Sequence, residues 1–189
     1  MTRSHTREVE DLVLHRAQRG DSAACRALVL RHQRRVVGQL RAMLVPAGRG
    51  LLVEDLAQET FLRAFRALPR FRGNGPASLG TWLVTIATRV ALNELRRRST
   101  RTECLDTVTE SMQTHGAAVA ERHASATAIE QAVADLSPAY RGAFLLREVH
   151  GLDYAEIAEV LEIDVGTVKS RLSRARANLR KALAEVHDG

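Results

Sequence analysis

Apolar residues recur at steps of three and four positions along most of the chain, which is the spacing of one face of an α-helix. Glycine and proline interrupt the pattern and divide it into separate helices. Before residue 100 it predicts four helices, at 8–19, 22–44, 53–68 and 79–98. From residue 128 onward it predicts four shorter ones, at 129–136, 138–150, 154–161 and 165–183. The segment between, 99–127, is polar and lacks the periodicity, which indicates a flexible linker between two all-α domains.

The last two helices have the features of a helix-turn-helix. Asp153 and Glu156 have the spacing of a capping box, and Asp164 can cap the helix that follows. Six bases and no acid lie within 165–181, whereas six acids and no lysine or arginine lie within 148–164. A basic second helix suits the major groove of DNA; the alternative is an ordinary helical hairpin with a solvated basic face. One residue argues mildly against the motif, because Glu162 occupies the turn, where a left-handed backbone usually favours glycine.

The helix at 53–68 pairs an apolar stripe with a polar face. On that face lie Asp55, Gln58, Glu59, Leu62 and Arg66, at helical spacing. An acidic patch that includes an exposed leucine is typical of a protein-binding surface. The alternative is a plain solvated face, and the pattern alone does not decide between the two.

A loop rich in glycine and proline, residues 70–80, leads into the helix at 79–98. Such a loop is either a connector or a shaped surface that holds something small. Beyond it, Arg89, Asn93, Arg96 and Arg97 point away from the predicted core and could hold a nucleic-acid backbone. Trp82 suits either packing or base stacking, and its place near a helix start favours packing.

The charge is unevenly distributed. The net charge is +6, and residues 1–100 alone have 18 bases and 8 acids, an excess of +10 that suggests a polyanionic partner. The two cysteines, Cys25 and Cys104, form no ligand pattern and fit a reduced cytoplasmic compartment better than a disulfide. His115 and His123 lack metal-ligand spacing. We therefore predict a protein without a metal or a cofactor. No apolar run approaches the roughly 20 residues that span a bilayer, so we also predict no membrane segment.

Three segments together resemble the extracytoplasmic-function (ECF) family of bacterial RNA polymerase sigma factors. They are DLAQETFLRAFRAL at 55–68, FRGNGPASLGTWLVTIATRVALNELRRR at 71–98 and YAEIAEVLEIDVGTVKSRLS at 154–173. The resemblance implies that 1–98 is sigma region 2, 99–127 a linker and 128–189 sigma region 4. It also implies a non-enzymatic protein, monomeric when free, whose partners are polymerase core (β′ clamp helices and β subunit), promoter DNA and an anti-sigma factor.

The resemblance assigns roles to the exposed residues of three segments. The face at 55–66 would dock on the β′ clamp helices, the segment 72–98 would hold single-stranded −10 DNA, and the helix from Val165 would contact the −35 element. The docking positions are Asp55, Gln58, Glu59, Leu62 and Arg66. The −10 positions are Arg72, Asn74, Ser78, Arg89, Asn93, Arg96 and Arg97. The −35 positions are Thr167, Lys169, Ser170, Arg171, Arg174 and Arg176.

Two rival functions account for part of the chain. A stand-alone repressor with a helical sensor domain explains the helix-turn-helix but leaves the polar face at 55–66 and the basic helix at 89–98 without a role. An adaptor that binds polymerase without choosing promoters leaves the basic second helix unexplained. A repressor of this kind would be a stable dimer that binds a palindrome, so stoichiometry separates it from a sigma factor.

Overall fold

The structure is a computed structural model that describes residues 11–72, 78–102 and 122–187. Every regular element in these residues is helical, as the all-α prediction requires. Helix α1 is described over 11–18. The others are α2 (Ser22–Leu44), α3 (Val53–Ala67), α4 (Leu79–Thr102), α5 (Arg122–Ala134), α6 (Pro138–Phe144), α7 (Tyr154–Leu161) and α8 (Val165–His187). Helices α4 and α5 thus reach into the predicted linker from both sides.

Helices α1 to α4 form the first unit, which corresponds to the predicted region 2. The sequence offers Asp21 or Ser22 as the cap of α2, and in the structure the Asp21 carboxylate caps it by accepting a hydrogen bond from the Ala24 amide at 2.9 Å. Helices α2, α3 and α4 pack on one another around fully buried Leu40 and Leu44. In α1 the helical spacing of Leu12 and Val13 predicts an apolar stripe that the structure shifts, since Leu14 is buried while Leu12 is 59% exposed.

Helices α5 to α8 form the second unit, and one of its helices departs from the prediction. The helix expected to continue to His150 changes to a π-turn at Leu145–Val149. The His150 amide bonds to the Leu145 carbonyl five residues back, at 3.2 Å. In an unbroken helix the apolar spacing predicts that Phe144, Leu145 and Val149 are buried. Because the wider turn shifts the side-chain register, Leu146 is fully buried instead and Val149 is 60% exposed.

The two units share one hydrophobic core. Helices α6 and α7 of the second unit pack against α4, and α6 also contacts α2. Ala143, Leu146 and Ile157 are almost fully buried in the same cluster as Val36 and Leu92. As a result α4 is buried on two sides, one facing α2 and α3 and the other facing the second unit.

Candidate polymerase and promoter interfaces

The predicted docking face of α3 is open to solvent. Asp55, Gln58 and Arg66 are exposed, and Leu62 keeps 52% of its surface exposed. Glu59 is half-buried and accepts a bond from the Arg63 guanidinium at 2.6 Å. The opposite side of the helix is buried through Val53, Ala57, Thr60, Phe61 and Ala64. The sequence thus predicted correctly which side of α3 faces outward.

Just before α3 lies an exposed apolar side chain that the sequence analysis did not single out. Leu51 is 97% exposed in the short 3₁₀ turn Gly50–Leu52. A large apolar residue left in water beside a polar face is a common mark of a protein-binding surface. The available signal was an apolar pair, Leu51 and Leu52, placed between glycine and the start of a helix.

The segment that leads into α4 is anchored by aromatic packing. The rings of Phe71 and Trp82 lie 4.8 Å apart and pack against the core of the first unit, which agrees with the packing interpretation of Trp82. The Ser78 hydroxyl caps α4 by accepting a bond from the Thr81 amide at 3.1 Å. Arg72 is exposed at the start of the loop. Asn74, predicted to line a base pocket, lies outside the described residues.

The predicted strand-binding residues of α4 are all exposed, but one is engaged with the second unit. Asn93, Arg96 and Arg97 lie on the surface near the end of the helix. The Arg89 guanidinium instead donates to the carbonyl of Glu159 at 2.7 Å and to that of Val160 at 3.0 Å. Both carbonyls belong to the last turn of α7, where backbone acceptors lack helical partners. Arg89 therefore caps the C-terminal end of α7.

Helices α7 and α8 form the expected helix-turn-helix. The Asp153 and Glu156 side chains complete a capping box, with bonds of 2.8 Å to the Glu156 amide and 2.7 Å to the Asp153 amide. Glu162 ends α7 in the left-handed conformation, with φ of 55°. A residue with a side chain is strained there by roughly 1 kcal/mol relative to glycine. The backbone thus turns as the motif requires although the usual glycine is absent.

The start of α8 is fixed by Asp164. Its carboxylate accepts bonds from the Thr167 hydroxyl at 2.5 Å and the Thr167 amide at 2.7 Å. These bonds, with the hydroxyl contributing most, lower the pKa of Asp164, so the cap remains ionised at neutral pH. The Thr167 hydroxyl is therefore engaged in the cap in the free protein rather than turned outward.

Beyond its cap, α8 separates a buried stripe from a basic surface. Steps of three and four residues predict that one stripe of α8 faces inward, and its members are all buried: Val168, Leu172, Ala175 and Leu179. Lys169, Ser170, Arg174 and Arg176 are exposed, and Arg171 is half-buried.

Two of these arginines are oriented by neighbours in their own unit. The Arg174 guanidinium donates to the Tyr140 hydroxyl at 3.1 Å, and that of Arg176 to the Glu148 carboxylate at 2.7 Å. Because Arg176 is already paired with an acid, Glu148 competes with phosphate for its positive charge.

Within the described residues no group of three or more histidine, cysteine or acidic side chains is arranged to hold a metal ion. No helix among them is long and apolar enough to cross a membrane. The described residues present two surfaces suited to binding macromolecules: the polar face of α3 and the basic helix-turn-helix of α7 and α8.

A protein-docking helix and a DNA-binding helix-turn-helix in one chain are typical of a transcription factor, and comparison with known proteins identifies its family. Residues 28–101 match the family described as Sigma-70 region 2, and residues 126–179 match the family described as Sigma-70, region 4. The RNA polymerase sigma-H factor of Pseudomonas aeruginosa is 35% identical over 94% of this chain and 95% of its own length. The ECF RNA polymerase sigma-E factor of Salmonella typhimurium is 35% identical over 88% of this chain and 90% of its own.

A solved structure agrees with these relatives. The sigma factor RpoE in a co-crystal structure with the anti-sigma factor NepR, from Bartonella quintana, aligns with a TM-score of 0.65 and 25% identity. The alignment covers 84% of this chain and 96% of that one. The chain belongs to the ECF family of RNA polymerase sigma factors. It is a non-enzymatic factor for promoter-specific initiation of transcription.

Proposed function

We propose that the sigma activity is divided among three surfaces of the chain. The exposed face of α3 docks on the β′ clamp helices of polymerase core, the segment 72–98 holds the −10 strand, and α8 contacts the −35 element. Region 2 is taken as 1–98 and region 4 as 128–189, with 99–127 as the linker. The observation that supports this division most is that the surface assigned to polymerase differs chemically from the two assigned to DNA: it is acidic and amphipathic on α3, whereas the exposed faces of α4 and α8 are basic.

The residue assignments within each surface follow from exposure and charge. On α3, Leu62 offers apolar contact between the polar groups of Gln58 and Arg66. On α8, Arg171 and Arg174 suit the guanine edge, because a guanidinium can donate two parallel bonds to it. Lys169 and Arg176 flank them and suit phosphates. On α4, Arg96 and Arg97 supply cations for a displaced strand.

The partners follow from the same reasoning. A sigma factor of similar structure was solved together with an anti-sigma factor, which supports such a partner for this chain as well. The chain works in the cytoplasm, where polymerase and DNA are, and is monomeric until it binds core. Each of its surfaces is small, so affinity for a promoter comes from attaching both units at once.

The test first recovers a promoter by selecting DNA that is transcribed only by the mixture of protein and polymerase core. It then compares three samples on that promoter: the protein alone, core alone and the mixture. Run-off transcription and permanganate reactivity of unpaired thymines should appear only in the mixture. Tight, sequence-specific duplex binding by the protein alone, as a dimer that represses transcription, would instead support the repressor. Core binding without promoter choice would support the adaptor.

A further inference from the structure

Two arginines of α8 are held by neighbours of different charge. Successive residues of an α-helix are rotated by about 100°, so Arg174 and Arg176 point roughly 160° apart. Arg176 meets the Glu148 carboxylate at 2.7 Å, and this acid offsets its positive charge. Arg174 instead lies beside α6, where its guanidinium donates to the Tyr140 hydroxyl at 3.1 Å. Because a phenolic hydroxyl is uncharged at neutral pH, Arg174 is oriented by a neighbour without being neutralised.

The Tyr140 side chain is a rigid support for this bond. Its ring packs against the buried cluster that joins α5, α6 and α8, which includes Leu136 and Leu179. The next residue, Arg141, is 3% exposed and donates to the carbonyls of Val133 and Leu136, which ties α6 to the end of α5. A tyrosine has only two side-chain torsions. With the ring packed and the backbone tied, the position of the hydroxyl is fixed.

The bond contributes little to the stability of the fold. Both of its partners are accessible to water, since Arg174 is exposed and Tyr140 is half-buried. Water competes for both groups at such a site, so a hydrogen bond between them stabilises the folded state only slightly. The arginine also loses rotamer freedom when its guanidinium is held in one place. The bond therefore orients the guanidinium rather than stabilising the second unit.

The atom that makes the bond determines which edge of the guanidinium is left for a ligand. Arg174 donates to Tyr140 through Nη1. This leaves the edge formed by Nε and Nη2, whose N–H bonds are parallel. Two parallel donors match the O6 and N7 acceptors of guanine in the major groove. A guanidinium that is already held this way loses less conformational freedom when it binds a base, which strengthens binding by about three- to tenfold.

We propose that Tyr140 is a positioning residue for recognition of the −35 element, which holds the Arg174 guanidinium so that its Nε–Nη2 edge meets a guanine. This inference rests on the proposed function, since that function assigns Arg174 to a guanine edge. Tyr140 acts through Arg174 and does not contact the base. The base preference of α8 thus depends on a residue of α6 that lies 34 positions earlier in the chain.

The test removes only the hydroxyl, because Tyr140→Phe keeps the packed ring. Holoenzyme formed with polymerase core is measured on the selected promoter and on all single-base variants of its −35 element. Arg174→Ala first identifies the guanine whose preference depends on the guanidinium. We expect Tyr140→Phe to lower the preference for that guanine about three- to tenfold and to leave the other positions unchanged. Preference is a ratio of affinities for two promoters, so it does not depend on the fraction of folded protein.

Three controls separate orientation from other effects. In the Arg174→Ala background, Tyr140→Phe should cause no further loss of preference. Tyr154→Phe removes a hydroxyl on the other side of α8, where Tyr154 lines a groove with Lys169 and Arg176, and should leave base preference unchanged. A promoter with 7-deazaguanine at the identified position lacks the N7 acceptor, so the wild type and Tyr140→Phe should bind it nearly alike.

Three results would overturn the proposal: unchanged preference in Tyr140→Phe, an equal loss of affinity on all −35 variants, or a loss that persists in the Arg174→Ala background. The second result would show that Tyr140 itself bonds to the DNA backbone. If Arg174→Ala leaves every preference unchanged, the assignment of Arg174 in the proposed function fails as well. If Arg174→Ala relaxes one preference and Tyr140→Phe does not, the positioning role alone is refuted.

Discussion

Helices α3 and α4 lie side by side in the first unit, and the sequence predicts a partner-binding face on each. The face of α3 is exposed in the structure, with Leu62 half in solvent. The predicted residues of α4 are exposed as well, but one of them, Arg89, is bonded to backbone carbonyls of α7. The same kind of sequence pattern therefore yields one face that points only into solvent and another that also contacts the second unit through Arg89.

The largest expected effect concerns the cover of α4. Arg141 is 3% exposed and donates to backbone carbonyls of both units, including those of Val133, Leu136 and Met43. Arg141→Met should leave these acceptors without a donor and lower the free energy of unfolding by about 2–4 kcal/mol. Thermal and urea unfolding followed by circular dichroism measure this. Arg66→Met, on the exposed face of α3, is the control and should change stability by less than about 0.5 kcal/mol. Equal losses of stability in both variants would remove the contrast between the exposed face of α3 and the buried contact between the units.

The next effect tests the open face of α3. Replacing Gln58 and Leu62 together with alanine should weaken binding to polymerase core by about 1.5–3 kcal/mol, because interface energy concentrates in a few central residues. Fluorescence anisotropy with labelled protein gives the affinity, and the melting temperature should barely change. Leu30→Ala is the matched control, since Leu30 is 63% exposed but lies on α2. Unaltered core affinity in the double variant would remove α3 from the interface.

A third test asks whether the exposed face of α8 distinguishes sequence. Arg171→Ala should cost about 1–3 kcal/mol and relax the preference at one −35 position, if its guanidinium contacts a guanine edge. Lys169→Ala, two positions earlier on the same helix, should weaken binding to all sequences alike and flatten the dependence of affinity on salt concentration. Holoenzyme binding to a set of −35 variants at several salt concentrations separates the two outcomes. Intact promoter preference in Arg171→Ala would reverse the assignment of the helix face.

The smallest effect is a dependence on pH of the packing between the two units, which the bond between His150 and Gln39 joins. Burial, with a contribution from the positive charge of Arg35 on α2, lowers the pKa of His150 from 6.5 to about 4. When the units are apart, His150 has an ordinary pKa and binds the proton more tightly. The contact between the units is therefore favoured fully above pH 6.5 and loses this contribution as the pH falls towards 4.

The loss should be about 1 kcal/mol at pH 5, allowing for the partial exposure of the ring to solvent. Scattering measured from pH 7.5 to 5 should show the radius of gyration rising as the pH falls. His150→Gln can still donate to Gln39 but does not titrate, so its radius should stay constant over this range. An identical pH response in that variant would show that another group is responsible.

The local features of the helix-turn-helix could be predicted because each depends on residues close in sequence. The capping box joins Asp153 and Glu156, three positions apart, and the buried stripe of α8 repeats within a single helix. A neighbouring π-turn was missed, since the composition of Leu145–Val149 is that of an ordinary helix and carries no local signal for a wider turn.

The sequence alone determined the all-α class, the limits of most helices, the polar face of α3 and the basic face of α8. These depend on periodicity and on caps, which operate within one or two helical turns. Only the tertiary structure decided that α4 is covered on a second side and that Arg89 caps α7. The reason is physical: Gln39, Thr88 and His150 satisfy one another's hydrogen bonds although 111 residues separate the first from the last. A polar residue on a helix face looks the same in sequence whether water or another unit satisfies it.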